Sequence, residues 1–180
     1  MIQTYSQIAD YFESMAAANV TLSHGATIAG TTRTRNSFIT LDDEDAFVVS
    51  ETTGIDFPCM VMVSLSAMML NLQTDYRKSW AITFHFLDKI NTIAHPSEAA
   101  AKKACLLSSE AVMMQFISKL WEIFLRQDST SVIKEIDLPK FRWSRTGRVG
   151  DNNYGWKLSF AFDTLADDII NCDNTQWNSF

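Results

Sequence analysis

The segment from Ser79 to Asp88 constrains the fold more than any other part of the chain, because large apolar residues occupy every second position. Its large apolar side chains are Trp80, Ile82, Phe84 and Phe86, and they alternate with Ala81, Thr83, His85 and Leu87. Alternation with period two places successive side chains on opposite faces of a β-strand. We therefore predict a central strand of a sheet that is covered on at least one face.

A second strand is predicted directly after Pro58. Here Cys59, Val61, Val63 and Leu65 alternate with Met60, Met62, Ser64 and Ser66. The surrounding stretch from Phe57 to Thr74 has no charge, but its polar residues leave it short of the ~20 apolar residues that a membrane helix needs. A buried strand with a trailing segment explains it better, and we expect no membrane association.

Two helices are predicted from apolar residues at helical spacing. The first covers residues 2–18, where Thr4 and Gln7 are arranged as a capping box. The second and longest begins at Pro96 and Ser97 and runs to about Gln127. Its C-terminal part carries a wide apolar stripe, which is typical of a helix that packs on a sheet. We assign to that stripe Leu106, Met113, Phe116, Ile117, Leu120, Trp121 and Phe124.

The rest of the chain predicts shorter elements. Residues 19–35 have no periodicity and are expected to form an exposed loop or arm, followed by a short strand over 36–41. Strands are predicted over 131–143 and 154–162, joined by a Gly- and Asn-rich hairpin connection over 144–153.

Composition and element order together indicate one α+β domain. The chain has 180 residues, of which 47% are hydrophobic, with only 6 Gly and 3 Pro, and this composition argues against disorder and fibrous repeats. Strands that are split around one long helix predict a largely antiparallel sheet, with an N-terminal helix and the long helix packed on it and a final β-hairpin. We expect the domain to span 1–163 and an acidic C-terminal tail to span 164–180.

Charge and cysteine usage narrow the classes of function. The formal charge of −6 disfavours a protein that wraps nucleic acid. Three widely spaced cysteines predict reduced thiols rather than disulfides or a zinc site. The first residues lack the pattern of a signal peptide, so we expect synthesis and residence in a cytosol.

No motif predicts catalysis, a cofactor or a metal. The three histidines are isolated, G-x-S-x-G is absent, and the acidic run at 42–45 lacks the alternation of a calcium loop. We therefore expect no enzyme activity, no cofactor and no metal. One alternative stays open, a cytosolic small-molecule enzyme whose site is assembled from distant residues such as His85.

Charged and aromatic side chains predict a protein interface. A basic cluster surrounds the predicted hairpin connection. Between Asn36 and Tyr76, in contrast, every charged residue is acidic. A solvated loop would explain the basic cluster, but opposite clusters also suit a head-to-tail contact between subunits. The terminal aromatic residues would dock on their own domain or on a partner, which also leaves open a monomeric protein-binding adaptor. The predicted interface residues are Arg142, Arg145, Arg148, Asn152, Asn153, Asp42, Asp43, Glu44, Asp45, Trp177 and Phe180.

The element order also resembles a known family, together with the segments 57–61 (FPCMV), 80–84 (WAITF) and 155–160 (GWKLSF). From Met1 to about Asp163 the chain is similar to the small tail-terminator or tail-completion proteins of tailed bacteriophages, which form the neck, or head-to-tail connector. The similarity rests on layout and on apolar patterns, and the loop at 19–35 and the acidic tail are departures from it.

The resemblance implies a structural virion protein that is made in the cytoplasm of the host bacterium. Such subunits form homo-oligomeric rings, with six or twelve copies, and contact neighbouring connector or tail proteins. DNA would pass nearby without specific nucleic-acid binding, and an acidic channel face would let it pass without adhering.

Overall fold

A computed structural model describes residues 4–41, 54–72, 75–126, 135–136, 141–149 and 152–165. In these ranges two helices and six strands follow one another along the chain. They are α1 (Tyr5–Ala18), β1 (Phe38–Leu41), β2 (Cys59–Leu72), β3 (Asp75–Lys89), α2 (Glu98–Arg126), β4 (Glu135–Ile136), β5 (Arg142–Val149) and β6 (Asn153–Leu165).

The six strands form one sheet in which all but one pairing is antiparallel. Its order is β1-β2-β3-β6-β4, and β5 also pairs with β6. β1 runs parallel to β2, whereas β2 with β3 and β3 with β6 are long antiparallel pairs. The α+β class and the largely antiparallel sheet predicted from the sequence are thereby confirmed, and so is the final hairpin of β5 and β6.

The main core lies between the two helices and one face of the sheet. Phe12 of α1 is fully buried, and its ring contacts those of Phe84, Phe116, Phe160 and Phe162 at centroid distances of 4.9 to 6.4 Å. Aromatic side chains of this size dominate the burial energy of a small domain. The alternating apolar residues of β3 therefore face the helices, as the period-two pattern predicts.

A smaller apolar cluster covers part of the opposite face. It consists of Cys59, Val61, Val63 and Leu87, against which Ile39, Leu41, Ile55, Phe57 and Val149 pack. The same pleat places Met60 and Met62 in the main core. Both faces of β2 are thus buried near its start, which explains why its apolar pattern is nearly continuous there.

Both helices begin at the predicted caps. The Thr4 hydroxyl accepts a hydrogen bond from the backbone N–H of Gln7, and the Gln7 side chain accepts one from the N–H of Thr4. At α2 the Ser97 hydroxyl accepts from the N–H of Ala100. Such caps satisfy backbone donors that the first helical turn leaves unpaired.

The two central strands are longer than predicted. The segment after Ser66 was expected to trail away, but it continues β2 to Leu72 and pairs with the start of β3 in a long hairpin. The period-two signal is weak over 67–79, and only the pairing between the two segments extends both strands.

The predicted strand 131–143 and the predicted connection 144–153 are wrong in their boundaries. Within 131–143 the structure describes the two-residue β4 and the start of β5, and β5 continues through the predicted connection to Val149. Gly147 lies inside this strand. Pairing with β6 outweighs the turn propensity of the Gly-rich sequence.

The last strand reaches the first residues of the predicted tail 164–180. β6 continues past Asp163 to Leu165, and Thr164 is fully buried, where its hydroxyl accepts a hydrogen bond of 3.0 Å from Trp80 Nε1. The remainder of the predicted tail, 166–180, lies outside the described residues.

The segment 19–35 is a loop, as predicted, but it is anchored to the domain. Leu22 is buried in the main core, and Thr27 and Thr34 form an isolated antiparallel bridge. The loop therefore consists of connected turns on the protein surface rather than a detached arm.

Candidate functional site

The predicted basic residues lie on β5, at the edge of the sheet. Arg142, Arg145 and Arg148 are all exposed. β5 pairs with β6 along one side, and no other strand in the described ranges pairs with it. The structure thus places Arg145 and Arg148 on a strand, whereas the sequence predicted a hairpin connection there, and Arg142 lies on a strand as predicted.

The arginines of β5 project from both faces of the sheet. Arg142 is opposite Ser159, on the face turned away from the helices, whereas Arg145 is opposite Trp156 on the helix side. The Arg145 guanidinium lies 5.5 Å from the Trp156 ring centroid, and Trp156 Nε1 donates a hydrogen bond of 3.1 Å to the carbonyl of Leu106. The indole is therefore fixed by α2 and in turn positions Arg145.

Trp143 lies between these two arginines and is 55% exposed. Tryptophan and arginine are the side chains most enriched at the energetic centres of protein interfaces. The sequence pattern alone does not single out Trp143, because it places this residue at the end of an ordinary strand. Its place among three arginines is the signal that could have identified it.

The hairpin residues Asn152 and Asn153 differ from each other. The carbonyl of exposed Asn152 accepts a hydrogen bond of 3.0 Å from the N–H of Ile90, so its backbone ties the turn to the end of β3. Asn153 is only 1% exposed and pairs with Val149 in the hairpin. Its side chain is part of the folded domain and is not on an outer surface.

The other predicted interface residues, Asp42, Asp43, Glu44, Asp45, Trp177 and Phe180, lie outside the described residues. The acidic half of the predicted contact therefore stays a prediction.

His24 has a structural arrangement that the sequence did not anticipate. Its Nδ1 accepts hydrogen bonds from the backbone N–H groups of Ser37 and Phe38, at 3.2 and 3.0 Å. Its Nε2 lies 3.0 Å from a carboxylate oxygen of Glu13. An Nδ1 that accepts carries no proton, so Nε2 is the donor to Glu13. The ring thus joins the loop after α1 to the start of β1.

The same neighbourhood brings together a serine, a histidine and a carboxylate without the geometry of a nucleophile. The Ser37 side chain is fully buried, and its hydroxyl donates a hydrogen bond of 2.8 Å to the carbonyl of Leu22 rather than to His24. An activated serine needs its hydroxyl against a free imidazole nitrogen. Ser37, His24 and Glu13 therefore hold the loop in place.

His85 is 7% exposed and is opposite Val61 and Lys157 in the sheet. No three His, Cys, Asp or Glu residues of the described ranges are grouped so that they could hold a metal ion. Among the helices described, neither is long and apolar enough to cross a membrane.

An apolar groove of about 750 Å³ lies between the end of α1, the loop after it and α2. Tyr11, Met15, Leu22, Phe116 and Ile123 contribute to its wall. Burial raises the pKa of the Tyr11 phenol above its ordinary value. The wall of the groove is mostly apolar, and Ser14, Asn19, Gln115 and Lys119 add polar groups to it.

α2 presents a row of apolar side chains on its outer side. Leu107, Met114, Trp121 and Leu125 are 43 to 72% exposed. The sequence analysis placed Trp121 in the stripe that faces the sheet, and this assignment is wrong, because the indole lies on the outward side. The spacing of seven residues from Leu107 to Met114 and from Met114 to Trp121 is the sequence signal for this second stripe.

No family model matches the chain, and no curated protein matches it.

Proposed function

We propose that the chain is a structural subunit of a phage-like virion, which assembles into a ring at the head-to-tail connector as a neck or tail-completion protein. The single observation that supports this most is the exposed edge strand β5, where Trp143 lies between Arg142 and Arg145. The layout of the elements, which resembles that of tail-terminator proteins, supplies the virion context.

The charges of β5 favour a head-to-tail contact. A ring closes when one surface of a subunit binds a different surface of the next copy. The basic edge would meet the acidic segment of a neighbour, for which the sequence offers the run 42–45. Such a pairing orients subunits and accelerates association, while Trp143 would supply the desolvated apolar contact.

The proposal needs no chemistry from the subunit. Its action would be to fit against copies of itself and against adjacent virion proteins while DNA passes through the ring. The net negative charge suits a channel that does not retain DNA.

The experiment is native mass spectrometry and sedimentation velocity of the full chain, with the variant R142Q/R145Q. The expected result is a ring-sized oligomer for the parent chain and a shift towards monomer for the variant. The matched control is K89Q/K103Q, which removes two positive charges from exposed side chains outside β5. Circular dichroism of each protein checks that the fold is retained.

Particles purified from cells that produce the protein test the virion assignment. Antibody labelling should locate the chain at the neck in negative-stain micrographs. A chain that stays monomeric and absent from particles, or that turns over a metabolite, would contradict the proposed function.

A further inference from the structure

The outer side of α2 carries six positions that recur with the period of a helix-to-helix contact. They are Leu107, Ala111, Met114, Ser118, Trp121 and Leu125, all of them exposed, and we term them the outer stripe. The spacing alternates between four and three residues and averages 3.6 over its five intervals, close to the period of about 3.5 at which side chains meet along two paired helices. Uncharged residues occupy every position of the stripe.

The outer stripe is separate from the core stripe of the same helix. Val112, Phe116 and Leu120 are at most 5% exposed and pack against the sheet. At 100° per residue they lie on the opposite side of the helix from Leu107 and Leu125. The long helix therefore has two apolar sides, and only one of them is used by the main core.

We propose that the outer stripe binds the same stripe of a second copy of this chain, with the two helices antiparallel. The order of large and small side chains along the outer stripe favours a second copy of the chain as the binding partner. The stripe is symmetric in spacing about position 116, so an antiparallel copy in register places position 107 beside 125, position 111 beside 121 and position 114 beside 118.

Each of these layers joins complementary sizes. Ala111 leaves room for Trp121 of the second copy, and Ser118 leaves room for its Met114, while Leu107 meets Leu125. A groove of about 440 Å³ already lies over Ala111, Met114 and Ser118, and the polar side chains of Gln115, Lys119 and Glu122 form its other side. In a parallel pair each residue would meet its own copy, so two tryptophans would crowd one layer and two alanines would leave another empty. Interiors pack densely, and both defects destabilise a contact.

The size of the stripe predicts a weak contact. From its exposed fractions, the four large side chains present roughly 400 Å² of surface, taking about 150–250 Å² for each fully exposed. Stable interfaces bury about 800 Å² on each partner. The free chain should therefore dimerise only at high concentration, and a surface that carries several copies would strengthen the contact through avidity.

This contact differs from the one in the proposed function. Antiparallel pairing of one surface with itself has two-fold symmetry, whereas a ring needs two different surfaces. The stripe would join two free subunits or the subunits of two stacked rings. The inference therefore stands if the chain never enters a virion, and it can fail while the ring assignment holds.

Cysteine cross-linking of the full chain tests the pairing. Leu107 and Leu125 lie about 27 Å apart along the helix at 1.5 Å per residue. A disulfide needs Cα atoms within about 7 Å, so it cannot form between these positions of one chain. In a C172S background, L107C and L125C are prepared separately, one with a mass tag, and are then mixed and oxidised mildly. Cys59 and Cys105 are buried and stay in place.

The expected result is a mixed disulfide dimer from L107C with L125C, and at least tenfold less dimer from either variant alone. The substitution M114E in both chains should reduce the mixed dimer by at least tenfold, because it places a carboxylate in the middle of the contact. As a control for random collision, V20C is mixed with I93C, two exposed positions outside the stripe.

Other outcomes would overturn the proposal. If L107C alone forms as much disulfide dimer as the mixture of L107C and L125C, the two helices pair in the parallel direction. Equal yields from the mixture and the control indicate collision. Absence of the mixed dimer at concentrations near the solubility limit indicates a stripe that is covered by something else, including residues 166–180 of the same chain.

Discussion

Nε2 of His24 lies 3.0 Å from Oε1 of Glu13, and this contact ties the loop after α1 back onto the helix that precedes it. On the other side of the ring, Nδ1 accepts from the backbone of Ser37 and Phe38. One side chain thus satisfies two backbone donors at the entrance to β1 and fixes how the chain passes from helix to sheet.

Replacing His24 by alanine should lower the free energy of unfolding by about 1–3 kcal/mol, because the backbone N–H groups of Ser37 and Phe38 at the entrance to β1 lose their acceptor. His24→Asn is the matched control, since the Asn side-chain oxygen can take the place of Nδ1 while the contact to Glu13 is lost. Urea unfolding curves measure both. If both variants lose the same free energy of unfolding, accepting the two backbone hydrogen bonds is not the stabilising role of His24.

Gly155 of β6 lies close against the backbone of Phe86 and Leu87 on β3. A Cβ at this position would overlap the carbonyl oxygen of Phe86 on β3. Gly155→Ala should therefore destabilise the domain by about 3 kcal/mol, the upper range for overpacking. Gly147→Ala serves as the control, because nothing lies within 4 Å of its added Cβ. Thermal melts of both variants test this, and a stable Gly155→Ala protein would mean that β3 and β6 can separate locally.

Cys105 should be an inert thiol at neutral pH. Burial, together with the negative charge of Asp88, raises its pKa to about 11. Its Sγ donates to the carbonyl oxygen of Asp88 at 3.0 Å. We expect no reaction with a thiol reagent in the native protein at pH 7.5, and rapid reaction after unfolding. Fast modification of the folded chain at Cys105, identified by peptide mapping, would contradict this.

The same shift predicts how stability depends on pH. The folded state keeps the Cys105 proton after the unfolded chain has lost it, so the stabilisation is complete below pH 9 and declines as pH rises towards 11. The full contribution of two pKa units is about 2–3 kcal/mol. Unfolding curves at pH 8, 9, 10 and 11 measure the slope. Cys105→Ala should have a flatter slope above pH 9, and identical slopes would assign the loss to other groups.

Phe12 should be the most costly truncation on α1. Its ring contacts four other phenylalanine rings in the main core, and Phe12→Ala should cost about 3–5 kcal/mol. Ile93→Ala is the control, because this side chain is 97% exposed and its loss should change stability by less than about 0.5 kcal/mol. Denaturant titration measures the free energy of unfolding of both variants. A loss for Phe12→Ala smaller than that of a single methyl deletion would mean that α1 is not needed to close the core.

The sequence predicts most of the fold because local patterns carry the relevant physics. Period-two alternation in β3 and the capping box of α1 depend on neighbouring residues alone, and both are found as expected. The sequence-based predictions fail where pairing between strands determines the secondary structure. Residues after Ser66 and around Gly147 have no strong strand pattern, yet both segments are strands because a long partner lies beside them.

The candidate site is only partly predictable for the same reason. The arginines of β5 could be recognised as a basic cluster, but their position on an edge strand, with Trp143 exposed between them, depends on the register with β6. Asn153 was predicted as an interface residue, and hairpin closure buries it in the folded subunit.

By itself the sequence determined the α+β class, the two helices with their starting caps, and the core face of β3, since each follows from side-chain periodicity and local hydrogen bonding. Only the tertiary structure decided that β5 replaces a turn and that His24 joins α1 to β1. These two outcomes depend on contacts between residues far apart in the chain, whose energies no local pattern encodes.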